Sequence, residues 1–300
     1  MNNISETRSQ QLVNQNDSFT SYDASVLAAF PPGTFLENIA VDEQGVLYIT
    51  SLDEGIVYKI TTAGEVSVFG KTAGKLAGIL MLNNSFILNG WNDQGFSTIY
   101  AMEKSGIITQ LHNPLHAQFL NGMVAMSKTK VLVCDSYKGC ILLYDLQTNH
   151  SSIWLSHPLL SKIDMQNQFM PAANGIKIHD GSVYVSNTER KLLLTIPLVN
   201  ENAGEPVVFM DDVNLDDFAI DPLGNVYAST HILNTVVKIA PDKQLHTIAG
   251  ESQGLAGSTA VAFGRTDGDK DYLYVTTNGG MSLPFEGVVQ SGRVVKIRFR

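Results

Sequence analysis

The chain has 300 residues, 44% of them apolar and 16% charged, an ordinary globular mixture with enough apolar side chains for a large core. Its 29 acidic residues against 20 Lys and Arg leave a formal charge of −9, which argues against nucleic acid or an anionic membrane as partner, since both need clustered cations. No apolar run is long enough for a membrane-spanning helix, so a small molecule or a cation suits the field better.

Residues 1–23 are rich in Asn, Gln and Ser and lack the apolar stretch of a secretory signal; they read as a flexible leader on a cytoplasmic protein. Residues 24–30 form one apolar strand with no partner nearby in sequence. A unit then begins that recurs to the end of the chain. In its first copy, inner strand 38–41, strand 46–50, strand 56–60 and strand 66–69 alternate with turns such as Asp42-Glu43-Gln44-Gly45, whose Asp and Gly are the residues that hairpins favour. The unit opens on an acidic or amide residue and closes on a polar residue five positions later, as in Glu37 to Asp42 and Asp216 to Asp221. Opening residues recur at intervals of 40 to 53 residues. Six such units predict an all-β, six-bladed β-propeller of four-stranded antiparallel blades, with 24–300 as one domain. The sixth unit is one strand short, and residues 25–30 resemble the missing outer strand, so the ring is expected to close by pairing the two ends of the chain.

Two cysteines, Cys134 and Cys140, flank a predicted hairpin turn; a disulfide is conceivable there, and two reduced thiols fit a cytosolic protein. Segments 157–173 and 278–290 are longer than the turns elsewhere and are expected to roof the binding face.

In a propeller the inner strands line the central channel, so one repeat position converges on the axis. Here that position reads Glu37, Ala77, Asn121, Asn174, Asp216 and Ser258. Two carboxylates and two carboxamides are hard oxygen donors with a summed charge of −2, a set suited to Ca²⁺, with Mg²⁺ or another divalent ion as the alternative, and poorly suited to Zn²⁺. Ser51, Asp135, Asn187 and Thr230 fall 13 or 14 residues later and either brace those ligands or cap turns. His231 and His116 are candidate proton shuttles. Trp91, Phe119, Met123, Phe169, Met170, Phe218, Met281 and Phe285 are expected near the mouth and bias the pocket towards an apolar or aromatic substrate.

The quartet Glu37, Asn121, Asn174 and Asp216 resembles the metal site of the senescence marker protein, gluconolactonase and luciferin-regenerating-enzyme superfamily, whose relatives include diisopropylfluorophosphatase, paraoxonase and strictosidine synthase. The resemblance implies a calcium-dependent hydrolase of lactones or esters, with Asp216 as catalytic nucleophile or base as well as ligand. Phe119 stands where sugar-lactonase members are expected to carry Arg, which points away from a sugar acid. A biosynthetic ring-closing or rearrangement enzyme of the strictosidine-synthase-like kind, or a non-enzymatic calcium- or ligand-binding propeller, stays open as an alternative.

Overall fold

The computed structural model describes residues 22–166, 169–284 and 286–299. The leader expected over residues 1–23 lies almost wholly outside the described residues.

Six antiparallel sheets follow one another along the chain. The first blade runs Leu36–Val41, Leu47–Ser51, Ile56–Ile60 and Val66–Lys71 from the channel outwards. The next three have Lys75–Leu82, Leu120–Ala125 and Ala173–His179 as inner strands, the fifth has Phe218–Ile220, and the sixth has Ser258–Phe263. The sixth is completed by Ala24–Pro32, which pairs antiparallel with Ser291–Arg298. That leaves no open edge where the ring closes, as the missing strand in the sequence requires. The one helical element among the described residues is a single 3-10 turn, Glu251–Gln253.

The core lies between blades. Tyr48 and Val57 of the first blade pack with Leu76, Ile79, Phe86, Leu88, Tyr100 and Met102 of the second, and equivalent clusters fill the other gaps. Because a second strand is covered on both faces, Leu47–Ser51 is buried along its whole length. The outermost strands face water on one side, and Val66 and Val68 are exposed there. The turn residues act locally. Asp42 Oδ1 accepts from the N–H groups of Gln44 and Val46, and Asp221 Oδ1 repeats this with Leu223 and Asn225. Cys134 and Cys140 are both buried free thiols; Cys134 pairs with Ile141 and Asp135 with Cys140, so the two are not opposite one another. Burial pushes the Cys140 thiol up to about 11.

Candidate functional site

In five of the six blades a β-bulge accompanies the side chain that turns into the channel. Register shifts fall between Leu36 and Ile39, Leu76 and Ile79, Leu120 and Met123, Ala173 and Ile176, and Ser258 and Val261. The first four shifts span a pair of residues of which the opening residue of the unit is the first, Glu37, Ala77, Asn121 and Asn174, and the last spans Thr259 and Ala260. A bulge re-aims a side chain and leaves backbone groups to be satisfied elsewhere. The second strands supply the partners. Thr50 Oγ1, Asn89 Oδ1, Ser186 Oγ and Thr276 Oγ1 accept from the N–H of the second bulge residue, at 3.0, 2.8, 2.8 and 3.2 Å. Thr50, Asn89, Ser186 and Ser229 also donate to the carbonyl of the next blade's column residue, respectively Ala77, Asn121, Asp216 and Thr259. A Cβ on Gly122 would stand 2.3 Å from the Asn174 carbonyl oxygen, so the Asn-Gly pair places a donor at the axis and lets the neighbouring strand approach.

This register corrects one assignment. In the sixth blade the column residue is Thr259, not Ser258, because Ser258 occupies the position of Leu36 and its hydroxyl is turned to the Thr235 carbonyl.

Glu37, Asn121, Asn174 and Asp216 are all buried and converge at the upper end of the channel. Asn174 Nδ2 donates to Asp216 Oδ1 at 2.5 Å and to Thr188 Oγ1 at 3.0 Å. His231 Nδ1 lies 2.9 Å from Asp216 Oδ2. Burial first, and then the charges of Asp216 and Asp217, hold the Glu37 carboxyl well above the usual carboxylate range, against a hydrogen bond from Asn121 that pulls the other way. A second layer sits beneath. Lys177 Nζ donates to Asp217 Oδ1 at 2.5 Å, Asn38 Nδ2 to Asp217 Oδ2 at 3.2 Å, and the Phe218 N–H to Asp217 Oδ1 at 2.8 Å. This pair closes the channel from below, where a cavity of about 430 Å³ opens to the opposite face.

The four column oxygens and amides suit a hard divalent cation, and the electrostatic crowding at Glu37 is what such an ion relieves. Among the described residues there is no cluster of three or more His, Cys, Asp or Glu side chains that could hold a metal.

Above the ring, Trp91 and Phe119 rings lie 4.6 Å apart and Phe119 and Tyr137 rings 5.0 Å apart. They line a cavity of about 640 Å³ together with Asp53 and Lys75. Burial, and after it the nearby Glu37 carboxyl, raises the Tyr137 phenol, which sets this cavity beside the ring.

Other sequence candidates are distributed differently. Ser51 Oγ donates to Glu54 in its own turn, and Asp135 accepts from the N–H groups of Gln118, Phe119 and Lys138. Asn187 binds the carbonyls of Leu159 and Ser161, and Thr230 closes the turn to Thr235. All four therefore brace upper-face loops. Phe218 is fully buried in the core under Lys177, and Met123 packs in the core and lines the lower cavity, so neither is at the upper mouth. Phe169 is 95% exposed on segment 157–173, and Met170 lends its carbonyl to Lys162. Met281 is half-buried beside Asn278, and His116 is exposed on a loop away from the ring. Phe285 lies outside the described residues. Sequence reasoning missed Thr188, Tyr137, Asn278 and the Lys177–Asp217 pair; the one local signal was the polar residue preceding Ser51, Asn187 and Thr230.

The fold is the one seen in solved structures of luciferin-regenerating enzyme, gluconolactonase and regucalcin. No family model matches the chain. Luciferin-regenerating enzyme superposes with a TM-score of 0.71 at 16% identity, over 92% of this chain and 95% of its own. Regucalcin of Agrobacterium tumefaciens, a calcium-binding protein, gives 0.70 at 14% over 93% and 96%. A gluconolactonase of Xanthomonas campestris gives 0.69 at 14% over 93% and 90%. These likenesses fix the fold. In sequence, a protein of a Phoma species named "Putative hetero-Diels-Alderase" is 26% identical over 305 residues, covering 84% of this chain and 86% of the relative. No helix among the described residues is long and apolar enough to cross a membrane.

Proposed function

We propose that the protein is an enzyme that closes a ring on a small, apolar, unsaturated substrate held at the upper mouth, by a hetero-Diels-Alder type of cycloaddition. The observation that carries this is the state of Asp216: both of its oxygens are already engaged, Oδ1 by Asn174 and Oδ2 by His231. A carboxylate held in this way suits orientation of the ring better than attack on a carbonyl. A cycloaddition needs no nucleophile and no base. Both new σ bonds come from π electrons of the reactants, and no atom enters or leaves. The enzyme's task is then to hold the reacting ends together and to polarise one carbonyl. The aromatic wall of Trp91, Phe119 and Tyr137 fits the first part, and the acid and amide ring beside it fits the second. The name carried by the Phoma relative supports the same reading.

Glu37, Asn121, Asn174 and Asp216 would hold a divalent cation, calcium first, and a bound ion would supply Lewis acidity to the substrate oxygen. That donor set also favours a second reading, calcium-dependent hydrolysis of an apolar lactone or ester with Asp216 as nucleophile or base.

One experiment separates the two. An o-quinone methide generated in situ with an electron-rich alkene gives a dihydropyran, and the product is resolved by chiral chromatography. Parallel samples receive aryl esters and lactones, with calcium or with chelator. The proposal expects an enantiomeric excess that disappears on heat denaturation, and ester turnover no faster than in buffer. A racemic adduct together with calcium-dependent lactone turnover would replace it with the second reading.

A further inference from the structure

Asp216 Oδ2 faces His231, whose other ring nitrogen faces a residue of the sixth blade. Asn278 is fully buried at the start of segment 278–290. Its Oδ1 accepts from the N–H groups of Gly280 at 2.9 Å and Met281 at 3.1 Å. Two backbone donors on that atom fix which end of the amide is oxygen. The other end, Nδ2, faces His231 Nε2 at 2.9 Å. An amide nitrogen can only donate, so Nε2 must offer its lone pair. The hydroxyl of Ser282, 3.3 Å from the same nitrogen, then donates as well. With Nε2 bare, the proton of the neutral ring is on Nδ1, 2.9 Å from Asp216 Oδ2.

The imidazole is itself held. His231 has φ +39, its carbonyl accepts from the Asn234 N–H at 3.2 Å, and its ring stands edge-on to Phe35 with centroids 6.1 Å apart. Gly257 gives Asn278 its place, since a Cβ there would come within 1.9 Å of Asn278 Oδ1. A one-way relay results, from the backbone of Gly280 and Met281 through Asn278 and His231 to Asp216.

We infer that Asn278 is a positioning residue: it selects the Nδ1–H tautomer of His231 and so aims Asp216 at the ring. Its catalytic consequence rests on the functional reading above, whereas the tautomer does not.

The test is a long-range proton–nitrogen correlation spectrum of uniformly ¹⁵N-labelled protein without substrate, with His231 assigned from the signal lost in His231→Gln. The expected wild-type pattern is a bare Nε2 and a protonated Nδ1. Asn278→Asp keeps an acceptor for Gly280 and Met281 but turns the donor into an acceptor, and it should put a proton on Nε2. Ser282→Ala should leave the pattern unchanged. Any other wild-type pattern, or an Nε2 that stays bare in Asn278→Asp, overturns the inference, and the wild-type spectrum decides even if that variant does not fold. In the cycloaddition assay Asn278→Asp should be slower by about 10- to 100-fold, the usual effect of losing a partner that orients a functional group. A bare Nε2 with no enantiomeric excess from the wild type would count against the functional reading and leave the relay standing.

Discussion

Replacing Lys177 by Met tests how the channel floor is held. The ammonium stands 2.5 Å from Asp217 Oδ1, with side chains 27% and 9% exposed. At an effective dielectric of about 20 that separation corresponds to a gross attraction of roughly 6 to 7 kcal/mol, most of which offsets the desolvation of the two ions. Removing one member of a buried pair costs about 3 to 5 kcal/mol because a charge is left uncompensated. Two features pull the figure to the lower end: Lys177 is partly hydrated, and Asp217 keeps its bonds from Asn38 and the Phe218 N–H. Lys177→Met should therefore lose about 3 kcal/mol, equivalent to a Tm roughly 6 to 12 °C lower for a domain of this size. Thermal and urea melts of Lys177→Met, Asp217→Asn and the double variant at neutral pH measure it. The double variant should be less damaged than the sum of the singles, and the coupling should persist in high salt, since screening acts weakly on buried pairs. A loss under 1 kcal/mol, or strict additivity, would refute the assignment of this pair as the structural floor of the site.

Glu37 gives a stability dependence on pH. Its folded-state affinity for the proton is raised by burial and by Asp216 and Asp217. The native state then binds more protons than the unfolded chain, so this group's contribution is most favourable below the unfolded carboxyl value of about 4.3 and is lost as pH rises through the higher folded value. In chelator, wild-type melts should fall with rising pH and those of Glu37→Gln should fall less; parallel curves would contradict the electrostatics. Calcium at about a hundred times its Kd should stabilise the wild type by about 2.7 kcal/mol and leave Glu37→Gln unmoved, by differential melting. Trp91→Ala removes a half-buried wall of the upper cavity and should reduce the enantiomeric excess of the adduct with little change in Tm. Deleting residues 1–33 uncovers the edge of Ser291–Arg298, and size-exclusion chromatography should show self-association.

The sequence by itself determined the blade count and the turns, because these depend on contacts within a few residues of one another, and it pointed to the closure because the last unit lacks the outer strand that residues 25–30 resemble. Asp42 and Asp221 make their turns with residues two and four positions on, and such short-range chemistry repeats legibly with the unit. It also identified four oxygen-bearing side chains at one repeat position. Tertiary structure decided the rest. Whether Ser258 or Thr259 enters the channel depends on where a bulge interrupts the pairing with Thr277 and Val275, and a shift of one residue sends the neighbouring side chain elsewhere. The ring's partners are farther away still: Lys177 meets Asp217 across 40 residues, and Asn278 meets His231 across 47. No local pattern encodes those separations. They arise because inner strands of different blades converge on one axis, where a buried charge or amide must find its partner from whichever blade stands beside it.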